Sequence, residues 1–298
     1  MELSDVKAYI GKIFFTMCTV VSPKLNTKLR YRRVFKKKLD LDMPKTFNEK
    51  ILWLKLNDYI KNPLVITCAD KYAVREYVTK CGLEEILVPL IAVYDNATAI
   101  DWEKLPESFV LKWNFGATMN VICPHKSRLD VQAITKKMNK WGKNQYWLPF
   151  SEMQYKYIDK KIVCEKFLDT PDGDLPDYKI YCFNGKPIYI MVCFDRTNNS
   201  ESVHAKYVYF DTKWNIMPFS EYAINHENEI HFEKPEGMEY ALKCAEILSK
   251  PFPFVRADFY ILDGKVYFGE LTFTPAGGLD TDLYSGDSIM GDLLKINI

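Results

Sequence analysis

Within RADFYILDGKVYFGELTFTPAGG, residues 256–278, Asp258 and Glu270 lie in strand-like sequence, with Arg256 and Thr272 at alternating spacing from them. Two carboxylates and one guanidinium on a sheet can neutralise one another, or they can hold a hard cation together with anionic oxygens such as those of phosphate. One arginine for two acids leaves room for Mg²⁺, so the metal reading is preferred to a purely structural ion pair. Side chains alternate along a strand, and the turn at Asp263-Gly264 therefore decides whether the acids share a face. A three-residue loop of Leu262, Asp263 and Gly264 sets Arg256 opposite Glu270. It gathers Arg256, Asp258, Glu270 and Thr272 on one face with Phe254, Tyr260, Val266 and Phe268. A two-residue loop splits the acids between faces.

Three other segments bear side chains suited to anions. FVLKWNFGATMNVIC carries Lys112 at the end of a buried strand before a loop with Gly116. IVCEKFLD carries Glu165 and Lys166, and DLPDYKIYCFNGK carries Lys179 two residues after Asp177. Each alone reads equally well as a snorkelling lysine or a surface ion pair.

Several elements position these groups. Thr46-Phe47-Asn48-Glu49 is a capping box starting a helix to about Asn57, and a second helix is expected from about Ala69 to Lys80. From Ile86 the texture changes to strands: ILVPLIAVY, SFVLKWNF, NVICP, IVCEKFL and DYKIYCFNGKPIYIMVCF with a turn at Asn184-Gly185. Helices are expected over DVQAITKKMNKW and from about Pro235 to Ser249. This order describes an α+β chain with largely antiparallel sheets and no long linker.

A length of 298 residues with 48% hydrophobic composition can bury a sizeable core, and a net charge of +1 argues against a nucleic-acid-binding surface. Eight cysteines without a CxxC pair or zinc spacing fit reduced thiols and a cytoplasmic location. The apolar IGKIFFTMCTVV is shorter than the roughly twenty residues that span a bilayer. It is followed by a basic run with Lys28, Arg30, Arg32, Arg33, Lys36, Lys37 and Lys38. A solvated helix face is the simpler account of this run. Peripheral docking on the inner face of the membrane, or on a lipid-linked glycan, is the alternative.

Taken together, the order of lysine strand, glycine loop, Glu-Lys strand, lysine strand and R-x-D hairpin resembles the ATP-grasp fold from about residue 86 to the end. KTFNEKILWLKLND, CADKYAVREYV, DYKIYCFNGKP and FVRADFYILDGKVYFGELTF resemble signature segments of the teichuronopeptide-biosynthesis-like ATP-grasp family, whose members accompany surface-polysaccharide gene sets. The resemblance implies a helical region at 1–85, a small α+β lobe at 86–164 and a large lobe at 165–298 that clasp ATP. It implies that Lys112, Lys166 and Lys179 meet ATP, that the Glu165 to Leu168 strand borders the adenine, and that Asp172 or Asp174 reaches the ribose. Asp258 and Glu270 become Mg²⁺ ligands, Arg256 stabilises transition-state charge, and the Gly277 and Gly278 amides hold an anionic group of the acceptor. Asp195 and Arg196 are expected to grip substrate. The broader ATP-grasp fold usually has asparagine two residues after the last acid, where Thr272 stands here.

The activity so implied is a carboxylate–amine ligase that forms an amide through an acyl phosphate, with a small-molecule amine and a uronic acid of a bacterial surface glycan as substrates. A polysaccharide glycosyltransferase using Asp172-Gly173-Asp174, or an ATP-dependent glycan kinase, is the alternative. A noncatalytic glycan- or membrane-binding module has little use for so complete a nucleotide site.

Overall fold

Most of the chain from Leu3 to Ala69 is helical, and side-chain caps mark where several of its helices start. The computed structural model describes residues 3–170, 175–199, 202–226 and 229–298, with side-chain surroundings for all of these except 3–9, 195–199 and 202–205. Helix α1 (Leu3–Val21) is followed at once by α2 (Pro23–Phe35), whose cap Ser22 accepts from the Leu25 amide at 3.2 Å. The capping box of α3 (Phe47–Asn57) forms as expected, Thr46 accepting from the Glu49 amide and Glu49 from the Thr46 amide. The helix expected over 69–80 starts later, as α5 (Val74–Lys80), and a separate helix α4 (Pro63–Ala69) precedes it. Asp70 separates the two: its carboxylate accepts from the Tyr72 and Ala73 amides at 2.7 and 3.2 Å, a local turn that competes with continued helix.

Two antiparallel sheets follow. Strands β1 (Leu90–Tyr94), β2 (Phe109–Trp113), β3 (Asn120–Cys123) and β4 (Ile162–Lys166) form the first in the order β1-β4-β2-β3, with α6 (Val131–Gly142) and α7 (Trp147–Phe150) between β3 and β4 in the chain. The expected lobe boundary at 164/165 falls inside β4. The second sheet contains β5 (Asp177–Phe183), β6 (Lys186–Asn199), β7 (Ser202–Asp211), β8 (Ile216–Met217), β9 (Phe254–Leu262) and β10 (Lys265–Thr272), in the order β10-β9-β5-β6-β7-β8. Helices α8 (Glu221–Asn225), α9 (Met238–Ser249) and α10 (Ser285–Leu293) complete the described elements.

The second sheet has one greasy face and one mixed face. Helix α9 buries Met238, Ala241, Leu242, Ala245 and Leu248, and it covers the side of the sheet that carries Cys182, Val255, Ala257 and Phe259. Phe254 on the other side packs with Phe47, Tyr181 and Phe183, so α3 seals one end of that side. The remainder of that face carries Arg256, Asp258 and Tyr260.

The hairpin register differs from the one expected. The turn has two residues, not three: Lys265 pairs with Leu262, and Asp263 and Gly264 both take positive φ (50° and 74°), as a type I′ turn requires. Such a turn by itself separates Asp258 from Glu270. A β-bulge at Gly269 restores them: Phe268 faces Phe259, and then Glu270 faces Asp258 and Thr272 faces Arg256. Arg256, Asp258, Glu270 and Thr272 therefore do share a face, whereas Val266 and Phe268 lie on the opposite one, where the Phe268 and Phe259 rings meet edge-on at 6.1 Å. Glycine suits the bulge because a Cβ at 269 would lie 3.0 Å from the Asp258 carbonyl oxygen. Gly269→Val should lower unfolding free energy by about 1–3 kcal/mol through overpacking at this strand crossing. Urea denaturation measures it, and an unchanged midpoint would show that the bulge tolerates a side chain.

Candidate active site

Asp258 is the most enclosed charge of the hairpin, 2% exposed, and an anion there is stable only if fully paired. Arg256, two residues earlier on the same face, binds it in a fork, Nε to Oδ1 and Nη2 to Oδ2 both at 2.7 Å. From the adjacent strand, Lys179 sits in register with Asp258 and donates to Oδ2 at 2.8 Å, while also pairing with Asp177. Burial raises the Asp258 carboxyl, against the pull of Arg256 and Lys179.

Glu270 is held differently. Lys71, from the turn after α4, reaches Oε2 at 3.1 Å, and Thr272 donates to Oε1 at 3.2 Å. Burial alone would raise this carboxyl, but Lys71, Lys179 and Arg256 overcome it and hold it down to about 2. The same Lys71 ammonium donates to the Gly116 carbonyl at 2.5 Å, tying the glycine loop of the first sheet to the hairpin of the second. Buried Asn114 fixes the lysine's backbone: its carbonyl accepts from the Lys71 amide, and its side-chain amide donates to Asp70 and to the Asp159 carbonyl.

On the first sheet, Lys112 and Arg75 share Glu165, at 2.8 and 3.0 Å. Burial would lower the Lys112 ammonium, yet Glu165, with Tyr260 and Glu270 from the hairpin, raises it. The two sheets thus meet across a field of five cations (Lys71, Arg75, Lys112, Lys179, Arg256) and four carboxylates (Asp177, Glu165, Asp258, Glu270) among the described residues.

Lys112, Glu165, Lys179, Arg256, Asp258 and Glu270 are therefore brought together, and several other expected residues are not. Lys166 is exposed because neighbours on a strand face opposite ways, and Glu165 is the one turned inward. Leu168 lies just beyond β4, half-buried. Asp172 and Asp174 fall outside the described residues, as do the side chains of Asp195 and Arg196, whose backbone belongs to β6. The amide of Gly277 donates to the Thr274 carbonyl at 2.9 Å, and a Cβ on Gly278 would lie 2.8 Å from the Leu52 side chain. Lys71 and Arg75 were missed. Both lie in CADKYAVREYV, where their spacing of four is the available signal.

A cavity of about 290 Å³ opens beside the hairpin. Lys179 and Arg256 line one part, Tyr181 and Tyr209 contribute buried rings, and Asp280 and Asp282 line another part. Asp280 is anchored by Asn48, which accepts from its amide at 2.7 Å and donates to its carbonyl at 2.9 Å.

The residues fit a divalent cation of the hard, oxygen-seeking kind. Asp258 and Glu270 are cross-strand partners, and an ionised carboxylate offers about four lone-pair sites, of which Asp258 uses three. Two carboxylates are as many as Mg²⁺ usually takes from a protein, phosphate and water completing its shell. Magnitudes separate the two acids. The Lys71–Glu270 pair, 18% and 32% exposed, is worth at most about 1 kcal/mol. Breaking the enclosed Asp258 cluster costs about 3–5 kcal/mol. Glu270 is the acid that can change partners.

Two antiparallel sheets facing one another across such a cluster define the ATP-grasp fold. The chain belongs to the TupA-like ATP-grasp family, whose model matches residues 49–295. Among solved structures it is similar to an L-amino acid ligase from Bacillus licheniformis (14% identity, 90% of this chain and 61% of that one, TM-score 0.50). It is also similar to D-alanine–D-alanine ligase from Bacillus anthracis, at 15% identity over 76% of this chain and 63% of that one (TM-score 0.43). The same enzyme in complex with ATP matches at 14% identity, over 85% and 66%, with a TM-score of 0.42. At such identities the likeness concerns the fold, and the chain spans less than two thirds of the length of these ligases. No curated protein matches the chain.

Asp258→Asn should destabilise the protein by about 3–5 kcal/mol, because Arg256 and Lys179 lose their shared anion, whereas Glu270→Gln, at a partly exposed pair, should cost less. The Glu270 pair has a definite pH signature. Its folded-state carboxyl lies below its ordinary value of 4.5, so its contribution is fully present above that pH and fades as pH falls towards about 2. Urea midpoints of parent and Glu270→Gln should therefore converge between pH 4.5 and 2. A constant difference would exclude the pairing.

Proposed function

We propose that the protein is an ATP-dependent carboxylate–amine ligase. The observation that carries this reading is the hairpin with Arg256, Asp258 and Glu270 on one face, adjoining both Lys112 of the first sheet and a cavity of small-molecule size. Lys71, Lys112 and Lys179 offset the charge of the triphosphate, and the segment from Glu165 to Leu168, at and just beyond the end of β4, borders the adenine. Asp258 and Glu270 would hold Mg²⁺, which would neutralise phosphate charge.

In the first half-reaction a carboxylate oxygen of the acceptor attacks the γ-phosphorus, the bond to the β-phosphate oxygen breaks, and ADP leaves with its electron pair. Arg256, lining the cavity and fixed by Asp258, stabilises the transferring phosphoryl group. In the second, an uncharged amine attacks the acyl carbon, phosphate departs and a proton is lost from nitrogen. Asp280, raised by burial, is suited to receive a proton from the incoming ammonium, and Asp282 adds to the negative field. The carboxylate thus enters at the Lys179–Arg256 end and the amine at the Asp280 end.

The TupA-like family supports a surface-polysaccharide substrate, and we assign the carboxylate to a uronic acid of a bacterial glycan and the amine to an amino acid or amino alcohol. Phosphorylation of a glycan hydroxyl by the same site would make the protein a kinase, and a stable phosphosugar rather than an amide would reveal it.

Mg-ATP should raise the melting temperature, and uridine-diphosphate sugars should not. Stabilisation by a nucleotide sugar alone would overturn the assignment. ADP formation should require both a uronic acid and an amine, and Glu270→Gln should lower it about 100-fold while remaining folded. Asp280→Asn should raise KM for the amine about tenfold and leave KM for ATP unchanged.

A further inference from the structure

Between residues 6 and 39 the chain has ten lysines and arginines and neither Asp nor Glu, although its net charge is only +1, so the remainder carries −9. The same stretch exposes its apolar side chains. Phe15, Cys18 and Thr19 of α1 are buried, and Thr19 belongs to a packed polar knot in which the Asn26 side-chain amide donates to Thr19 Oγ1 at 2.7 Å, Ser151 Oγ at 2.8 Å and the Pro149 carbonyl at 3.1 Å. Arg30 reinforces it by stacking on Phe15 and Phe150, at 4.1 and 4.3 Å from the ring centres.

This inward anchoring fixes the rotation of α1 and turns Ile10, Ile13, Phe14, Met17, Val20 and Val21 outward, each 43–78% exposed and all on one helical stripe. Cations accompany that stripe on the helix packed beside it. Lys24, Lys28 and Arg32 lie along one exposed side of α2, and Arg33 reaches α1 itself, where a Cβ on Gly11 would sit 3.4 Å from Nη1. No helix among the described residues is long and apolar enough to cross a membrane.

We propose that α1 and α2 form an interfacial anchor, the outward stripe of α1 entering the surface of an anionic phospholipid bilayer and the cations of α2 meeting its headgroups. An apolar helical face bordered by positive charge is what such a surface binds. A second copy of this chain is a poor occupant, because it would bring another ten positive charges against the first ten. The proposal goes beyond the ligase reading and does not depend on it.

The test is co-sedimentation of the full chain with vesicles of phosphatidylcholine alone and of phosphatidylcholine mixed with phosphatidylglycerol. The mixed vesicles should bind at least about tenfold more strongly. Two triple variants, Ile13→Ser/Phe14→Ser/Met17→Ser and Lys28→Ser/Arg32→Ser/Lys37→Ser, should each weaken that binding about tenfold or more. Raising salt from about 0.1 M to about 1 M should shorten the Debye length from about 10 Å to about 3 Å and act like the charge variant. Both variants change exposed residues, and an unaltered thermal shift with Mg-ATP establishes that they are folded and separates this test from that of the ligase reading. Failure to sediment with anionic vesicles, or equal binding by the apolar variant, would overturn the proposal. So would a concentration-dependent dimer without lipid that the apolar variant abolishes, seen by sedimentation velocity.

Discussion

The enclosed carboxylate of Asp258 constrains everything around it. An anion with 2% exposure cannot persist without compensation, and the two cations that supply it come from its own strand and the next one. That requirement sets the register of β5 against β9, since Lys179 must stand opposite Asp258, and it aims the Arg256 guanidinium across the hairpin to Thr272 at 3.1 Å. The polar face of the second sheet is therefore a preorganised block of charge, and the partner of Glu270 is its loosest joint.

That joint lies where the two sheets meet. Lys71 is shared between the Glu270 carboxylate and the Gly116 carbonyl, so the glycine loop and the hairpin hold the same ammonium. Any cation that displaces Lys71 from Glu270 also changes what the loop is tied to. The cavity beyond Arg256 begins where this field ends, which gives a small molecule access to the guanidinium without displacing Asp258.

Much of this was legible in local sequence, because local chemistry decides it. The capping box at Thr46, the turns at Asn184-Gly185 and Asp263-Gly264, and the alternation that brings Arg256 near Asp258 depend on residues a few positions apart. Lys71 and Arg75 were not legible, since they reach Glu270 and Glu165 from other elements of the fold, 199 and 90 residues away in the chain. Asp70 ended a helix that apolar spacing alone would continue, through bonds from its side chain to two amides. The common face of the two acids was anticipated from the wrong loop length, and the outcome survived because a second irregularity cancelled the first.

That cancellation has a consequence for how such a chain can change over time. The tight turn at 263–264 and the extra residue at Gly269 are complementary frameshifts in one ladder, and only their sum matters to Glu270. Lengthening the turn by one residue rotates Glu270 out of the cluster unless the bulge is lost as well, and losing the bulge alone does the same. Neither change by itself keeps Glu270 on the Asp258 face, while the two together do, so two different geometries of this hairpin place the same side chains side by side. A single insertion or deletion in this ladder therefore turns Glu270 away from Asp258, and a second, compensating one turns it back.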